Sequence, residues 1–156
     1  MGSGKTTVAR IVAERLGREV MDSDAVVEKA TGRTVREIFA DEGEAAFRSF
    51  ETAALLDALA APEPAVIAAA GGVVLSEENR QALKDSSARV VWLCATPALL
   101  VDRVTSSGHR PLLDDDPAGT LQRMYDTRQA FYREVADAVV LVDHRSPIEV
   151  AEAVLR

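Results

Sequence analysis

Two glycines, a lysine and two threonines crowd the first seven residues, in the run Gly2-Ser3-Gly4-Lys5-Thr6-Thr7. In this order, these residue types can hold a polyphosphate. Glycine lets backbone N–H groups approach an anion closely. Lys5 brings a positive charge to β- and γ-phosphates, and Thr6 offers a hydroxyl to a magnesium ion. Lys5 to about Leu16 reads as a helix whose N-terminal dipole faces the same anion. Val8, Ile11, Val12 and Leu16 form its apolar stripe, and Gly17 is its stop. A small-residue lead into an ordinary helix would share this composition, so the weight of the reading rests on what converges with it.

Two carboxylates and three arginines extend the chemistry. Asp22 and Asp24 follow the short run Glu19–Met21. Asp22 could hold the magnesium ion through water, and Asp24 could orient or deprotonate an acceptor hydroxyl. Aspartates at a strand–helix junction also serve simply as helix caps. Arg48, Arg110 and Arg128 each carry a planar, always-charged fork that suits a carboxylate or a phosphate. Taken singly, such arginines are more often surface ion-pair partners. Beside a phosphate loop, they point to an anionic substrate and a closing lid.

The elements that must position these groups alternate along the chain. Glu19–Met21 reads as a strand, Asp24–Ala30 as a helix stopped near Gly32, and Thr34 as the cap of another, with Glu37 in capping-box spacing. Gly43 to Ala61 is a long helix closed by Pro62 and Pro64, with Phe47, Phe50, Leu55 and Leu56 on its buried face. Ala65–Ala70 is a strand running into Gly71-Gly72. Ser76 caps a helix to about Lys84, and Arg89–Cys94 is the clearest strand, with Trp92 and Cys94 as core residues. A helix from Pro97 to about Val104 precedes a polar loop from Thr105 to Pro117, in which Asp114-Asp115-Asp116 reads as a solvated acidic turn. A long helix from Ala118 to Val135, a strand at Ala138–Val142 and a helix from Pro147 complete the chain. Such alternation implies an α/β fold with a parallel sheet covered by helices on both faces. Ligands of such sheets bind beyond the carboxyl ends of the strands. The phosphate loop, Asp22 with Asp24, and Gly71-Gly72 all fall there.

Composition bounds the alternatives. A chain of 156 residues is expected to form one domain. With a net charge of −7 it has no basic stripe for nucleic acid. No apolar run reaches membrane-spanning length, and Cys94 is the lone cysteine, so no membrane association and a cytoplasmic location are expected. His109 and His144 have no companion ligand at metal spacing, so magnesium is the one metal expected.

The pieces GSGKTT, MDSD, TGRTVREIFADEGEAAFRSFE, AGGVV, HRPLL, TRQAFY and HRSP together resemble the shikimate kinase family, in the nucleoside-monophosphate-kinase-like branch of P-loop folds. They span essentially the whole chain. The resemblance implies one P-loop kinase domain over residues 1–156, with a mobile lid at about 105–117, acting as a monomer. It implies ATP-dependent phosphorylation of the 3-hydroxyl of shikimate, with Mg2+, on the route to chorismate. Gly2, Ser3, Gly4, Lys5, Thr6 and Thr7 would bind ATP, with Arg103 and Arg145 near its adenine. Thr6 and Asp22 would serve the magnesium ion. Asp24, Arg48, Gly71, Gly72 and Arg128 would line the shikimate pocket, with Arg48 and Arg128 on the carboxylate. Lys5, Asp24 and Arg110 would act on the transferring phosphoryl group, Arg110 from the lid.

The sequence departs from the family pattern twice. The family opens with a central strand and a glycine-containing turn ahead of GSGKT, and neither lies within this sequence. In-frame residues upstream of Met1 are therefore expected, and the chain as it stands should be unstable or poorly active because that strand's neighbours would face unpaired backbone groups. The family's three-glycine turn here reads Ala70-Gly71-Gly72. Ala70 keeps open a kinase for gluconate or a related polyol acid, and the missing first strand keeps open a nucleotide-binding protein without turnover.

Overall fold

The computed structural model describes residues 2–106 and 116–156. Helix α1 (Lys5–Leu16) leads to strand β1 (Glu19–Asp22), α2 (Ser23–Thr31), α3 (Val35–Ala60) and β2 (Ala65–Ala68). A single 3-10 turn (Val73–Leu75) and α4 (Glu77–Asp85) follow, then β3 (Val91–Cys94), α5 (Pro97–Ser106), α6 (Pro117–Val135), β4 (Ala138–Leu141) and α7 (Pro147–Leu155). Thus α5 runs two residues past the expected end, and Pro117 belongs to a helix. The rest of the expected loop, residues 107–115 with Arg110, lies outside the described residues.

Local chemistry sets most of these boundaries. Gly17 and Gly32 close α1 and α2 in the left-handed conformation that a side chain would disfavour. Thr34 and Glu37 form a reciprocal capping box, as do Ser146 and Glu149. Within α3, Gly43 adopts φ 83° and ψ 178°, so the segment is two helices meeting at a kink. Asp116, expected in a solvated turn, caps α6 by accepting the Gly119 N–H at 2.9 Å.

The strands form two parallel pairs. Strand β1 pairs with β2, placing Glu19 opposite Ala65 and Asp22 opposite Ala68. Strand β3 pairs with β4, placing Val91 opposite Ala138 and Cys94 opposite Leu141. The expected single sheet is therefore two two-stranded sheets, with no β2–β3 hydrogen bonding among the described residues. A cleft of about 1590 Å³ lies between them, lined by Val66, Ile67 and Ala68 of one and Val91, Trp92 and Leu93 of the other. It exceeds the roughly 300–1,000 Å³ of an ordinary ligand pocket, because it merges the phosphate loop's surroundings with the gap between strand edges.

Helices bridge that gap on both faces. Val8 and Val12 of α1 and Val150 and Ala151 of α7 form one core with Val140 and Val142, against which Val66, Val91 and Leu93 pack. On the other side, Leu55 of α3, Val73, Val74 and Val135 of α6 form a second core that takes in Val90 and Tyr132. Alternation along β3 thus sends Val91 and Leu93 to one layer and Trp92 to the other, with Val90, just before the strand, on the Trp92 side.

Unpaired strand edges beside an apolar cleft carry a stability cost. Fusing an apolar strand of about five residues and a short glycine-containing turn ahead of Gly2 is expected to raise Tm by at least about 5 °C, read by thermal melting. An unchanged Tm would show that the cleft accepts no strand.

Candidate active site

The phosphate end is built at the N-terminus of α1. Gly2 and Gly4 both adopt positive φ, 73° and 86°, so glycine is required at each. Gly4 caps the helix, its carbonyl accepting the Val8 N–H at 3.0 Å. Arg103, on α5, reaches back to donate Nη1–H to the Gly2 carbonyl at 3.1 Å. Arg145 joins it around a side cavity of about 310 Å³ bordered by Gly2, Ser3, Gly4 and Thr7. The turn carrying Arg145 includes His144 at φ 60°, a left-handed conformation for a side chain other than glycine.

Asp22 ties this end to the next element. One of its oxygens, Oδ2, accepts the Thr6 hydroxyl at 2.7 Å; the other, Oδ1, accepts the Asp24 N–H at 3.1 Å and so caps α2. Cap and phosphate-loop partner are here one residue. The described residues hold no cluster of three His, Cys, Asp or Glu side chains fit to cage a metal. An oxygen pair beside a polyphosphate loop instead fits a hard divalent ion that takes its remaining ligands from phosphate and water.

Asp24 lines the same cleft. Burial pushes its carboxyl above the ordinary aspartate value, with Asp22 and Glu28 adding to the rise and Lys5 and Arg48 opposing it. Across the cleft, Arg48 Nη1 donates to both oxygens of Glu51 at 3.1 and 2.9 Å. Its Nε and Nη2 donate to Glu44 Oε1 at 3.2 and 2.8 Å. Glu51 is 1% exposed, and burial raises its carboxyl pKa against the pull of Arg48. A β-carbon on Gly72 would stand 1.9 Å from Arg48 Nη1, so glycine is needed there for the guanidinium to lie against the backbone.

The turn between β2 and the 3-10 turn is held from two sides. Ala70 N–H donates to the Ser23 hydroxyl at 2.9 Å, and the Tyr132 hydroxyl donates to the Gly71 carbonyl at 2.6 Å. Tyr132 also stacks on Trp92, ring centroids 5.3 Å apart. Trp92, expected as a core residue, thus lies beneath the site, bordering the same cleft as Arg128, one helical turn before Tyr132 on α6. Helix α6 is fixed against α4 by Glu134, which meets Arg80 at 3.0 Å and Lys84 at 2.8 Å.

Lys5, Thr6, Asp22, Asp24, Arg48, Gly71, Gly72 and Arg128 therefore line one cleft. Arg103 opens on both this cleft and the side cavity, whereas Arg145 lines the side cavity. Glu51, Ser23 and Tyr132 were not anticipated from the sequence. The i,i+3 spacing of Arg48 and Glu51 was the available signal; Ser23 and Tyr132 lie in the MDSD and TRQAFY pieces, but their partners stand 47 and 61 residues away, which no local spacing marks.

The shikimate kinase family profile matches residues 1–156. The chain belongs to the shikimate kinase family. A shikimate kinase of Symbiobacterium thermophilum is 45% identical over 158 residues, covering 99% of this chain and 90% of that protein. One from Streptomyces coelicolor is 42% identical, covering 99% and 89%. The structure of a shikimate kinase from Acinetobacter baumannii in complex with shikimate superposes with a TM-score of 0.93 at 37% identity, covering 99% of this chain and 86% of that one. That of the Aquifex aeolicus shikimate kinase gives 0.85 at 30% identity, covering 99% and 89%. The paired parallel strands and surrounding helices are accordingly those of a P-loop kinase. These relatives bear out shikimate kinase over the gluconate-type alternative.

The contact between Gly72 and Arg48 gives a test of the buried pair. Gly72→Ala is expected to push the guanidinium off Glu51, leaving a buried carboxylate that favours its protonated form. The folded state would then bind more protons than the unfolded state above the ordinary glutamate value, so the added instability grows as pH rises. Thermal melts should show a larger Tm loss relative to the unmodified chain at pH 8 than at pH 5. An equal loss at both would mean that Glu51 stays paired.

Proposed function

We propose that this chain transfers the γ-phosphoryl group of ATP to the 3-hydroxyl of shikimate, yielding shikimate 3-phosphate and ADP, as a monomer in the cytoplasm. The observation that carries the reading is the meeting, in one cleft, of a phosphate loop with Asp24 and the arginines Arg48 and Arg128. Support for the acceptor comes from the likeness to the Acinetobacter baumannii enzyme, whose structure holds shikimate.

Phosphoryl transfer is chiefly positioning and charge neutralisation. In this reading the N–H groups of residues 2–7 and the Lys5 ammonium hold the phosphates, and Arg103 and Arg145 border the adenine. Thr6 Oγ1, and Asp22 through water, would hold Mg2+, which would supply charge neutralisation to the phosphates. Arg48 and Arg128 take the acceptor carboxylate, which would share the Arg48 fork with Glu44 or displace it. Gly71 and Gly72 form the wall beside them. Asp24 accepts the proton of the acceptor hydroxyl as its oxygen attacks the γ-phosphorus; its raised pKa makes it a better base than an ordinary aspartate. Arg110 supplies further positive charge to the transferring group.

Two measurements test this. Magnesium- and shikimate-dependent ADP release from ATP is the expected activity; ATP binding with no such release would overturn the assignment. Asp24→Asn is expected to lower kcat at least about a hundredfold while raising Tm at neutral pH. The sign follows from its raised pKa. Between the unfolded and folded values the native state binds the extra proton, so stability present at low pH is lost as pH rises through the folded value. A neutral amide removes that loss. Full turnover by Asp24→Asn would exclude Asp24 as the base.

A further inference from the structure

The Ala70-Gly71-Gly72 turn borders the acceptor end of the cleft, and nothing in the turn's own sequence explains its orientation. Its Gly71 carbonyl points at the Tyr132 hydroxyl, 2.6 Å away. A peptide unit is planar and trans, so a carbonyl oxygen and the N–H of the next residue point in opposite directions. Fixing the Gly71 oxygen against the Tyr132 hydroxyl therefore turns the Gly72 N–H away from that hydroxyl, and Gly72 itself lines the cleft. Neither the Gly71 nor the Gly72 N–H has an acceptor within the described chain. With glycine on both sides, this peptide has no β-carbon to resist rotation about its flanking dihedrals. The Val73 N–H donates to the Ala70 carbonyl at 3.2 Å and closes the turn; such a bond alone is compatible with either facing of the central peptide.

We propose that Tyr132 is a positioning residue: its hydroxyl sets the Gly71–Gly72 peptide so that the Gly72 N–H faces the bound acceptor. The inference rests on the acceptor pocket assigned above. The phenol is well suited to the task. Its ring is clamped between Trp92 and the core formed by Leu55, Val73, Val74 and Val135, so the hydroxyl cannot swing away. Burial raises its pKa, keeping the proton it donates. A β-carbon on Gly71 would stand 3.0 Å from that hydroxyl, close enough that the hydroxyl would have to shift to admit it. Arg128, one turn earlier on α6, lines the same cleft, so one helix carries both a carboxylate-binding group and the restraint on the turn.

Tyr132→Phe removes the hydroxyl and keeps the stacked ring. Calorimetric titration of the full chain is expected to show shikimate Kd raised about tenfold, with the Kd of magnesium-ATP within about twofold. Emission from Trp92, the lone tryptophan, should be unchanged because the stack survives. Gly71→Ala should weaken shikimate binding in the unmodified chain and weaken it less in the Tyr132→Phe background, where the opposing hydroxyl is gone; such non-additivity marks direct contact. An unchanged shikimate Kd in Tyr132→Phe overturns the proposal. So does a parallel loss of both ligands with a large fall in Tm, which would make the tyrosine a packing residue only. Arg128→Lys separates the two readings. If it weakens shikimate and Tyr132→Phe does not, the positioning role alone falls; if neither variant nor the unmodified chain discriminates shikimate, the pocket assignment falls too.

Discussion

Asp22 is the joint on which the site turns. Its two oxygens face different ways, one to the Thr6 hydroxyl and one to the Asp24 N–H, so a single carboxylate links the phosphate loop to the first turn of α2. It can do so because β1 ends at Asp22, where the chain leaves the sheet at the carboxyl edge. The next residue, Ser23, is buried and holds the Ala70 N–H. Three consecutive residues, Asp22 to Asp24, thus touch the phosphate loop, the Ala70 turn and the cleft itself. Moving β1 by one position would send these side chains to opposite faces and dissolve all three contacts.

The acceptor side carries charge that the fold does not welcome. Asp24 and Glu51 both sit where burial disfavours ionisation. Glu51 is tolerated because Arg48 covers it with two hydrogen bonds; removing one member of such a buried pair typically costs about 3–5 kcal/mol. Among the described residues Asp24 has no equivalent partner, only the opposing fields of Lys5 and Arg48. That difference separates a carboxylate that holds an arginine in place from one free to take a proton.

How the two strand pairs stay together is a matter of the helices. With β2 and β3 unpaired, the link between halves runs through side-chain packing: α1 touches the β2 side and α7, and α7 packs on β4. Helices α3, α4 and α6 close the opposite face, with Asn79 Nδ2 donating to the Val73 carbonyl at 3.0 Å and Glu134 tying α4 to α6. Packing of this kind is less directional than a hydrogen-bonded ladder, so it fixes the layers more firmly than it fixes strand spacing.

Much of this was legible in the residues. Glycines with a lysine and threonines at fixed spacing announce a phosphate loop, because the chemistry resides in neighbours along the chain. Capping pairs such as Thr34 with Glu37, and stops such as Gly17, are equally local and appeared where the spacing placed them. Alternating apolar runs gave the strands and their parallel pairing. The tertiary structure decided what depends on distance between remote segments: that the strands form two pairs, that Arg48 is shared between Glu44 and a buried Glu51, and that Ser23 and Tyr132 clamp one turn from either side. Local propensity is written residue by residue. Which hydroxyl meets which carbonyl across 61 residues is set only when the layers pack.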